Sequence, residues 1–285
     1  MCYTNTMKYP IAFCDYDGTI FDGAAMVVPD RTRSAIFDYI RAGGVFVLTT
    51  GRMYRSIMMQ LDRMGLKPDY LICMQGSVGY DFTTGAEVFR HGLPCADWHR
   101  VAAFAEARGW VFQAYHGLDV YTAQANPYSD EYFAYTGVQG VITGEPLSTY
   151  PEARDWDVHK MIVMSPSAET PTRVAMLREA FPHLDVTCST DRYIEIVSAA
   201  SGKGNGLRAM CRHLGFSPAE AMAFGDETND CSLLEAAGLG VAVANANPAL
   251  RAVADLMTAP CAEGGVADVL HSVIRGTDPV PYVIH

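Results

Sequence analysis

The chain has 285 residues, of which 49% are hydrophobic and 19% are charged, and this composition excludes a disordered or low-complexity protein. Its 21 basic and 32 acidic residues give a formal net charge of −11, which excludes a general electrostatic attraction to nucleic acid or to an anionic membrane surface. No apolar stretch approaches the roughly 20 residues that span a bilayer, and the first ten residues have no apolar signal segment. The 8 cysteines are scattered without a Cys-x-x-Cys pair, which is typical of reduced thiols in a cytoplasmic protein.

Apolar runs alternate with helical patterns in two blocks, one at each end of the chain. We predict short buried strands at 11–14, 45–49, 70–74, 221–224 and 241–244. We predict helices at 30–42, 53–64, 206–214, 230–237, 248–254 and 266–274, the first of them with Asp30 as its N-cap. This alternation indicates a Rossmann-like, doubly wound α/β fold with a parallel sheet covered on both faces.

The middle of the chain has a different pattern, in which strands follow one another more often. We predict strands at 111–115, 120–122, 159–164, 186–188 and 193–197, and helices at 98–108 and 171–180. This α+β pattern predicts an inserted domain at 80–197, which leaves 1–79 and 198–285 to form the core.

The segment Asp15-Tyr16-Asp17-Gly18-Thr19 directly follows the first predicted strand. Two carboxylates two residues apart at this place are expected to point the same way, into the crevice at the carboxyl ends of the strands. The alternative is an ordinary turn, because Asp and Gly favour turns.

Three further polar segments follow a predicted strand or precede a predicted helix. Thr50-Gly51-Arg52 follows the second strand, where a hydroxyl and backbone N–H groups could hold an anion. Lys203 precedes a helix, and Asp226, Asn229 and Asp230 follow the strand at 221–224. We expect all of these segments to converge in one crevice, although Asp226 and Asp230 could instead be N-caps of the following helix.

Taken in this order, the four segments strongly resemble the motifs of the haloacid dehalogenase (HAD) superfamily of phosphatases. The later Asn245-Ala246 and Glu263-Gly264-Gly265-Val266 look like its Cof-type branch, which carries a C2 (type IIB) cap between the second and third motifs. The predicted insert at 80–197 falls at that place. The resemblance implies a cytoplasmic, Mg²⁺-dependent phosphatase, a monomer or homodimer, that hydrolyses a small phosphorylated metabolite such as a sugar phosphate.

The resemblance also implies a role for each matching residue. Asp15 would attack phosphorus and form an aspartyl-phosphate, and Asp17 would be the general acid and base. The phosphoryl oxygens would be held by backbone N–H groups or side chains of five residues, namely Tyr16, Thr50, Gly51, Lys203 and Asn229.

The implied metal site would bind Mg²⁺ through oxygen ligands, which this hard cation prefers. Its ligands would be Asp15, the backbone carbonyl of Asp17, and Asp226, while Asp230 would orient Lys203 or a metal-bound water from outside the coordination sphere. Arg52 is a candidate substrate contact. The sequence departs from the Cof-type pattern at Met74-Gln75-Gly76, where that branch usually has Asn-Gly.

Three other interpretations compete with this one. The run from Gly204 to Ala209 matches a G-x-G-x-x-G/A dinucleotide fingerprint, but Ser198-Ala-Ala-Ser201 separates it from its strand and the two aspartates stay unexplained. The same aspartyl-phosphate could pass its phosphoryl group to a sugar, as in phosphomannomutases, if water is kept out of the second step. The chain could also be a catalytically silent, ligand-binding homologue.

Overall fold

A computed structural model of the protein describes residues 7–188 and 190–283, without the side chains of Tyr132, Tyr135 and Thr136. The first six residues of the predicted core segment 1–79, and the last two of the segment 198–285, therefore lie outside the described residues. The seven cysteines in the described part are all free thiols. No helix in that part is both long enough and apolar enough to cross a membrane.

The described residues form fourteen strands and nine α-helices. The strands are β1 (Ile11–Asp15), β2 (Val45–Thr49), β3 (Tyr70–Cys73), β4 (Val78–Asp81), β5 (Glu87–Arg90), β6 (Val111–His116), β7 (Asp119–Thr122), β8 (Val141–Ile142), β9 (Val158–Met164), β10 (Leu184–Cys188), β11 (Tyr193–Ser198), β12 (Ala221–Gly225), β13 (Leu239–Val243) and β14 (Leu256–Thr258). The helices are α1 (Asp30–Arg41), α2 (Tyr54–Met64), α3 (Cys95–Glu106), α4 (Pro127–Thr136), α5 (Thr170–Ala180), α6 (Lys203–Leu214), α7 (Cys231–Ala236), α8 (Pro248–Val253) and α9 (Gly265–Ile274).

The chain divides into two compact units. The first unit comprises Met1–Arg52, Met58–Phe89 and Gly202–His285, and the second comprises Met53–Ile57 and Arg90–Ser201. The second unit is therefore formed mainly by one continuous stretch of chain that interrupts the first. The domain boundaries predicted from the sequence, at 79/80 and 197/198, stay a prediction.

The first unit contains a sheet of eight strands in the order β14-β13-β12-β1-β2-β3-β4-β5. The strands from β14 to β3 run parallel, and β4 runs antiparallel to β3. Every residue of β1, β2 and β12 is buried, as expected for central strands covered on both faces. Asp15 lies opposite Thr49, and Cys14 lies opposite Phe224, so the carboxyl ends of these three strands meet at one edge. The predicted α/β class is confirmed.

The helices of the first unit follow the predicted pattern, and all but α6 begin within one residue of the predicted start. Helix α1 buries Thr32, Ala35, Ile36 and Tyr39, which recur at the spacing of one helical face. Asp30 was wrongly predicted as its N-cap: the cap is the preceding proline, and Asp30 is the first helical residue, where its charge favours the helix dipole. Helix α6 begins three residues before the predicted start at 206.

The second unit contains a sheet of six strands in the order β10-β11-β9-β6-β7-β8. Its pairs are antiparallel apart from β7 and β8. Its apolar core is built around the buried Trp98, whose indole Nε1 donates a hydrogen bond to the carbonyl of Trp156 over 2.9 Å. The α+β pattern predicted for this stretch is confirmed, although helix α4 and the short strand β8 were not predicted.

Candidate active site

The predicted site residues of the first unit lie in loops at the carboxyl ends of β1, β2 and β12 and at the start of α6. Asp15 is the last residue of β1, and Thr50 directly follows β2. Asp226 directly follows β12, and Lys203 is the first residue of α6. Loops at this edge of a parallel sheet are the usual place for a ligand, because the carboxyl ends of all the parallel strands lie there.

Lys203 joins two carboxylates at the centre of the site. Its Nζ lies 2.5 Å from Oδ1 of Asp15 and 2.5 Å from Oδ1 of Asp230, and all three side chains are buried. Burial lowers the pKa of Lys203, but the two neighbouring carboxylates outweigh this effect and raise it above its ordinary value. The lysine is therefore a fixed positive charge between two acidic groups.

Asp15 has an unusual electrostatic position for a carboxylate. Burial raises its pKa well above the ordinary value, and Lys203 counteracts that rise, while Asp230 and Asp226 add to it. Among the described residues its side chain accepts a hydrogen bond only at Oδ1, from Lys203. The second oxygen, Oδ2, therefore has no competing hydrogen-bond donor among those residues.

Asp230 supports the loop that follows β12. Its Oδ1 accepts from Lys203, and its Oδ2 accepts from the backbone N–H groups of Asp226 and Glu227, each over 3.1 Å. Both carboxylate oxygens are thus used within the chain. This geometry fits a residue that orients Lys203 and the loop around Asp226.

Asp226 completes a cluster of carboxylates. Oxygens of Asp15, Asp226 and Asp230 all lie within 4.8 Å of one another. Two full charges at that separation repel by about 3 to 4 kcal/mol at an effective dielectric of about 20. Burial, and then Asp230, raise the pKa of Asp226 to about 6, although it accepts a 3.0 Å hydrogen bond from Thr19 Oγ1. Three acidic groups against one lysine leave a buried excess of negative charge.

This cluster has the chemistry of a magnesium or calcium site, because its donors are hard carboxylate oxygens in a confined place. Gly18 belongs to the same arrangement: its φ is +81°, and a Cβ there would lie 2.1 Å from Oδ2 of Asp226. Only glycine therefore lets the turn after β1 approach this carboxylate. The carbonyl of Gly18 is in turn held by Nδ2 of Asn245 over 2.8 Å.

Asp17 is not a member of the carboxylate cluster found among the described residues. Its carboxylate instead forms a bidentate ion pair with Arg52, in which Nε donates to Oδ2 over 2.8 Å and Nη2 donates to Oδ1 over 2.7 Å. The predicted substrate contact, Arg52, is thus occupied by the predicted general acid and base.

The predicted phosphate-binding residues have less uniform surroundings. Thr50 is fully buried, and its Oγ1 accepts from the backbone N–H of Arg52 over 3.1 Å. The ring of Tyr16 is buried and stacks on Phe21, with centroids 5.1 Å apart, which fits packing of that side chain. Asn229 is exposed and donates from Nδ2 to Oε1 of Gln75 over 3.1 Å.

Gln75, which departs from the Cof-type pattern, makes contacts that the sequence did not predict. Its N–H donates to the carbonyl of Thr50 over 3.2 Å, and its carbonyl accepts from Gly202 over 2.8 Å. A Cβ on Gly51 would lie 2.6 Å from its Nε2. With the contact to Asn229, this residue joins three of the four motif loops. Its φ of +58°, after +51° at Met74, is a left-handed backbone that non-glycine residues rarely adopt.

Comparison with known proteins identifies the family. Residues 12–270 match the family model of the haloacid dehalogenase-like hydrolases. The HMP-PP phosphatase of Serratia proteamaculans is 26% identical over 290 residues, covering 97% of this chain and 98% of that protein.

Two solved structures share the fold. A Thermotoga maritima protein has a TM-score of 0.82 at 23% identity, covering 92% of this chain and 97% of that one. The HAD subclass IIB sugar phosphatase BT4131 has a TM-score of 0.77 at 23% identity, covering 93% of this chain and 99% of that one. The chain belongs to the haloacid dehalogenase-like hydrolase family, and the predicted enzyme class, a HAD-type phosphatase, is confirmed at this level.

Proposed function

We propose that the protein is a Mg²⁺-dependent phosphatase that hydrolyses a small phosphomonoester through an aspartyl-phosphate on Asp15. The observation that carries this proposal is the buried group formed by Lys203, Asp15 and Asp230, with Asp226 within 4.8 Å of both carboxylates. A phosphomonoester repels an incoming anion, so its hydrolysis needs both a fixed nucleophile and concentrated positive charge. This arrangement supplies the nucleophile, one fixed positive charge and a place for a cation.

Asp15 is the nucleophile in this proposal. Lys203 holds Oδ1, which leaves Oδ2 to form the bond to phosphorus while the bond from phosphorus to the leaving oxygen breaks. The electron pair of that bond goes to the leaving oxygen, which receives a proton from Asp17. In the second step Asp17 takes a proton from the water that attacks the aspartyl-phosphate, and inorganic phosphate and free Asp15 result.

Asp15, Asp226 and the backbone carbonyl of Asp17 would hold the Mg²⁺ ion. When bound there, the cation would neutralise charge between the carboxylates and the phosphoryl oxygens. Asp230 stays outside this ligand set in our proposal, because both of its oxygens already accept hydrogen bonds from the chain. Its role is to orient Lys203.

The phosphoryl oxygens would be held by Thr50, the N–H groups of Tyr16 and Gly51, Lys203 and Asn229. The hydrogen bond to Gln75 supports the last of these, because it limits the orientations of the Asn229 amide. A donor that is already oriented loses less entropy when the phosphate arrives.

The substrate class we propose is a sugar phosphate or a related small phosphorylated metabolite. Similarity to a sugar phosphatase and to the HMP-PP phosphatase supports this class. The stretch predicted as 80–197 would act as the cap that selects among such substrates. The free thiols of the described residues fit the cytoplasm, where small phosphorylated metabolites are made and used.

The test is a phosphate-release screen of small phosphorylated metabolites with Mg²⁺, in which each positive reaction is repeated with EDTA. We expect EDTA to remove activity and added Mg²⁺ to restore it. Asp15→Asn should lower turnover by at least about a thousandfold, because the nucleophile is lost. Asp62→Asn is the matched control, since this carboxylate is exposed on α2, and it should be fully active.

Four results would contradict the proposal. Full activity after removal of metal excludes the Mg²⁺ assignment, and full activity of the Asp15→Asn variant excludes the nucleophile. Formation of an isomeric phosphosugar without release of phosphate indicates a phosphotransferase or mutase. A chain that binds phosphosugars and turns none of them over is a silent homologue.

A further inference from the structure

Asp17 and Arg52 form a bidentate ion pair. Both carboxylate oxygens accept from the guanidinium, over 2.8 and 2.7 Å, while the side chains are 46% and 17% exposed. Exposed ion pairs in general contribute little to stability, about 0 to 1 kcal/mol. A two-point contact between two planar groups nevertheless fixes the orientation of the carboxyl group.

Arg52 is itself held by contacts of its backbone and of its side chain. Its backbone N–H donates to Oγ1 of Thr50, and its carbonyl accepts from the N–H of Met74, each over 3.1 Å. Its guanidinium lies 5.7 Å from the centre of the Tyr16 ring. The guanidinium therefore comes from an anchored loop and can act as a fixed support for a neighbouring side chain.

Asp17 has less support of its own. It lies in the turn after β1, where the N–H groups of Ile20 and Phe21 donate to the carbonyl of Tyr16 over 3.1 and 2.8 Å. These bonds hold the backbone but not the half-exposed carboxyl group. Among the described residues, the hydrogen bonds that reach its oxygens come from Arg52.

We propose that Arg52 is a positioning residue for Asp17 and does not bind the substrate. The inference rests on the proposed function, in which the carboxyl of Asp17 gives its proton to the leaving oxygen as the bond to phosphorus breaks. Proton transfer requires the donor to lie within hydrogen-bond reach of that oxygen. For this step one carboxyl oxygen carries the proton and gives up its bond to the guanidinium, while the other oxygen keeps accepting from Arg52. The bond that is kept removes alternative orientations of the carboxyl, and so raises the fraction of encounters in which the proton can be delivered.

The test compares two leaving groups, because only a poor one needs the proton. An alkyl phosphate releases a basic alkoxide, whereas 4-nitrophenyl phosphate releases a stabilised phenolate. Asp17→Asn defines the selectivity expected when the acid is lost. We expect Arg52→Ala to lower kcat/KM for the alkyl phosphate about tenfold or more beyond its effect on 4-nitrophenyl phosphate. This ratio reports formation of the aspartyl-phosphate, whereas kcat also contains the water step, in which Asp17 acts equally for both substrates.

Two further variants separate positioning from general damage. Arg52→Lys keeps the charge but cannot make the two-point contact. It should therefore also affect the alkyl phosphate more than 4-nitrophenyl phosphate, but by a smaller factor than Arg52→Ala. In the Asp17→Asn background, Arg52→Ala should cause no additional selectivity, because the group it positions is already gone. Arg41→Ala is the matched control: Arg41 pairs with Asp38 on α1, and its loss should affect neither substrate.

The outcomes are distinct. If Arg52→Ala and Arg52→Lys raise KM equally for both phosphates and leave kcat unchanged, Arg52 is a substrate contact and the inference is wrong. If both variants lower kcat/KM equally for both phosphates, or Arg52→Ala adds fully to Asp17→Asn, the inference is also wrong. A wild-type protein that releases phosphate from neither compound, nor from the metabolites of the screen, overturns the proposed function, and this inference with it.

Discussion

Replacing Asp226 by asparagine should stabilise the metal-free protein at neutral pH, although the change is expected to abolish metal-dependent activity. Asp226 lies near two other buried carboxylates, and burial together with Asp230 raises its pKa to about 6. The asparagine keeps an oxygen that can accept the hydrogen bond from Thr19. The substitution therefore removes a repelled charge with little change in shape.

The direction of the pH dependence follows from the raised pKa. The folded chain holds a proton on Asp226 at pH values where the unfolded chain has released it, so this group favours folding less and less as pH rises from about 4 to about 6. The difference between about 6 and the ordinary value of 3.8 corresponds, at about 1.4 kcal/mol per pH unit, to about 3 kcal/mol. Above pH 7, the free energy of unfolding of the variant should exceed that of the wild type by no more than this amount.

Calorimetry of EDTA-treated protein measures this effect, because it can separate the transitions of two units. The thermal midpoint of Asp226→Asn relative to wild type should rise from about pH 4.5 to about pH 6.5 and then stay constant. Added Mg²⁺ should stabilise the wild type and have a smaller effect on the variant. Asp62→Asn, an exposed carboxylate, should show no such trend. A variant no more stable than wild type at neutral pH would refute the reasoning.

Three further substitutions test other parts of the site. Gly76→Ala should lower the free energy of unfolding by about 1 to 3 kcal/mol or more in urea titrations. The reason is that φ of Gly76 is +91° and a Cβ there would lie 2.1 Å from the carbonyl oxygen of Gly202. Lys203→Met should cost the metal-free protein about 3 to 5 kcal/mol in the same titrations, because two buried carboxylates lose their partner. Gln75→Ala should weaken inhibition by inorganic phosphate about two- to tenfold, measured as a rise in Ki, because Asn229 loses its hydrogen-bond partner. An unchanged midpoint or Ki would contradict the respective argument.

The sheet of the first unit could be predicted because its central strands are continuous apolar runs that end in polar residues. The runs at 11–14 and 221–224 are buried at every position, and both lead into a loop that carries an aspartate. Helix α4 was missed for the opposite reason: it has no apolar face that recurs with the period of a helix. The local signal lies at its start, where Asn126 is the N-cap: Oδ1 of Asn126 accepts a hydrogen bond from the N–H of Ser129 over 2.8 Å.

Within the site, partnerships between distant residues were beyond sequence reasoning. Asp17 and Arg52 are 35 residues apart, and Asn229 and Gln75 are 154 apart. A motif indicates which loops converge at the edge of a sheet, but the choice of partner depends on side-chain orientations that no spacing encodes. The sequence therefore predicted which loops converge, but not which side chains form pairs.

Departures from local structural preference are concentrated at the candidate site. Lys203 is the first residue of α6, where a positive charge opposes the helix dipole, and no acidic residue in the first turn compensates. Gln75 adopts a left-handed backbone that glycine or asparagine would adopt more readily. Three carboxylates are crowded together beside a single lysine. Each departure lowers stability locally, and each involves a loop at the same edge of one sheet. Unfavourable local conformations and contacts gathered at one place are the pattern expected at a functional site.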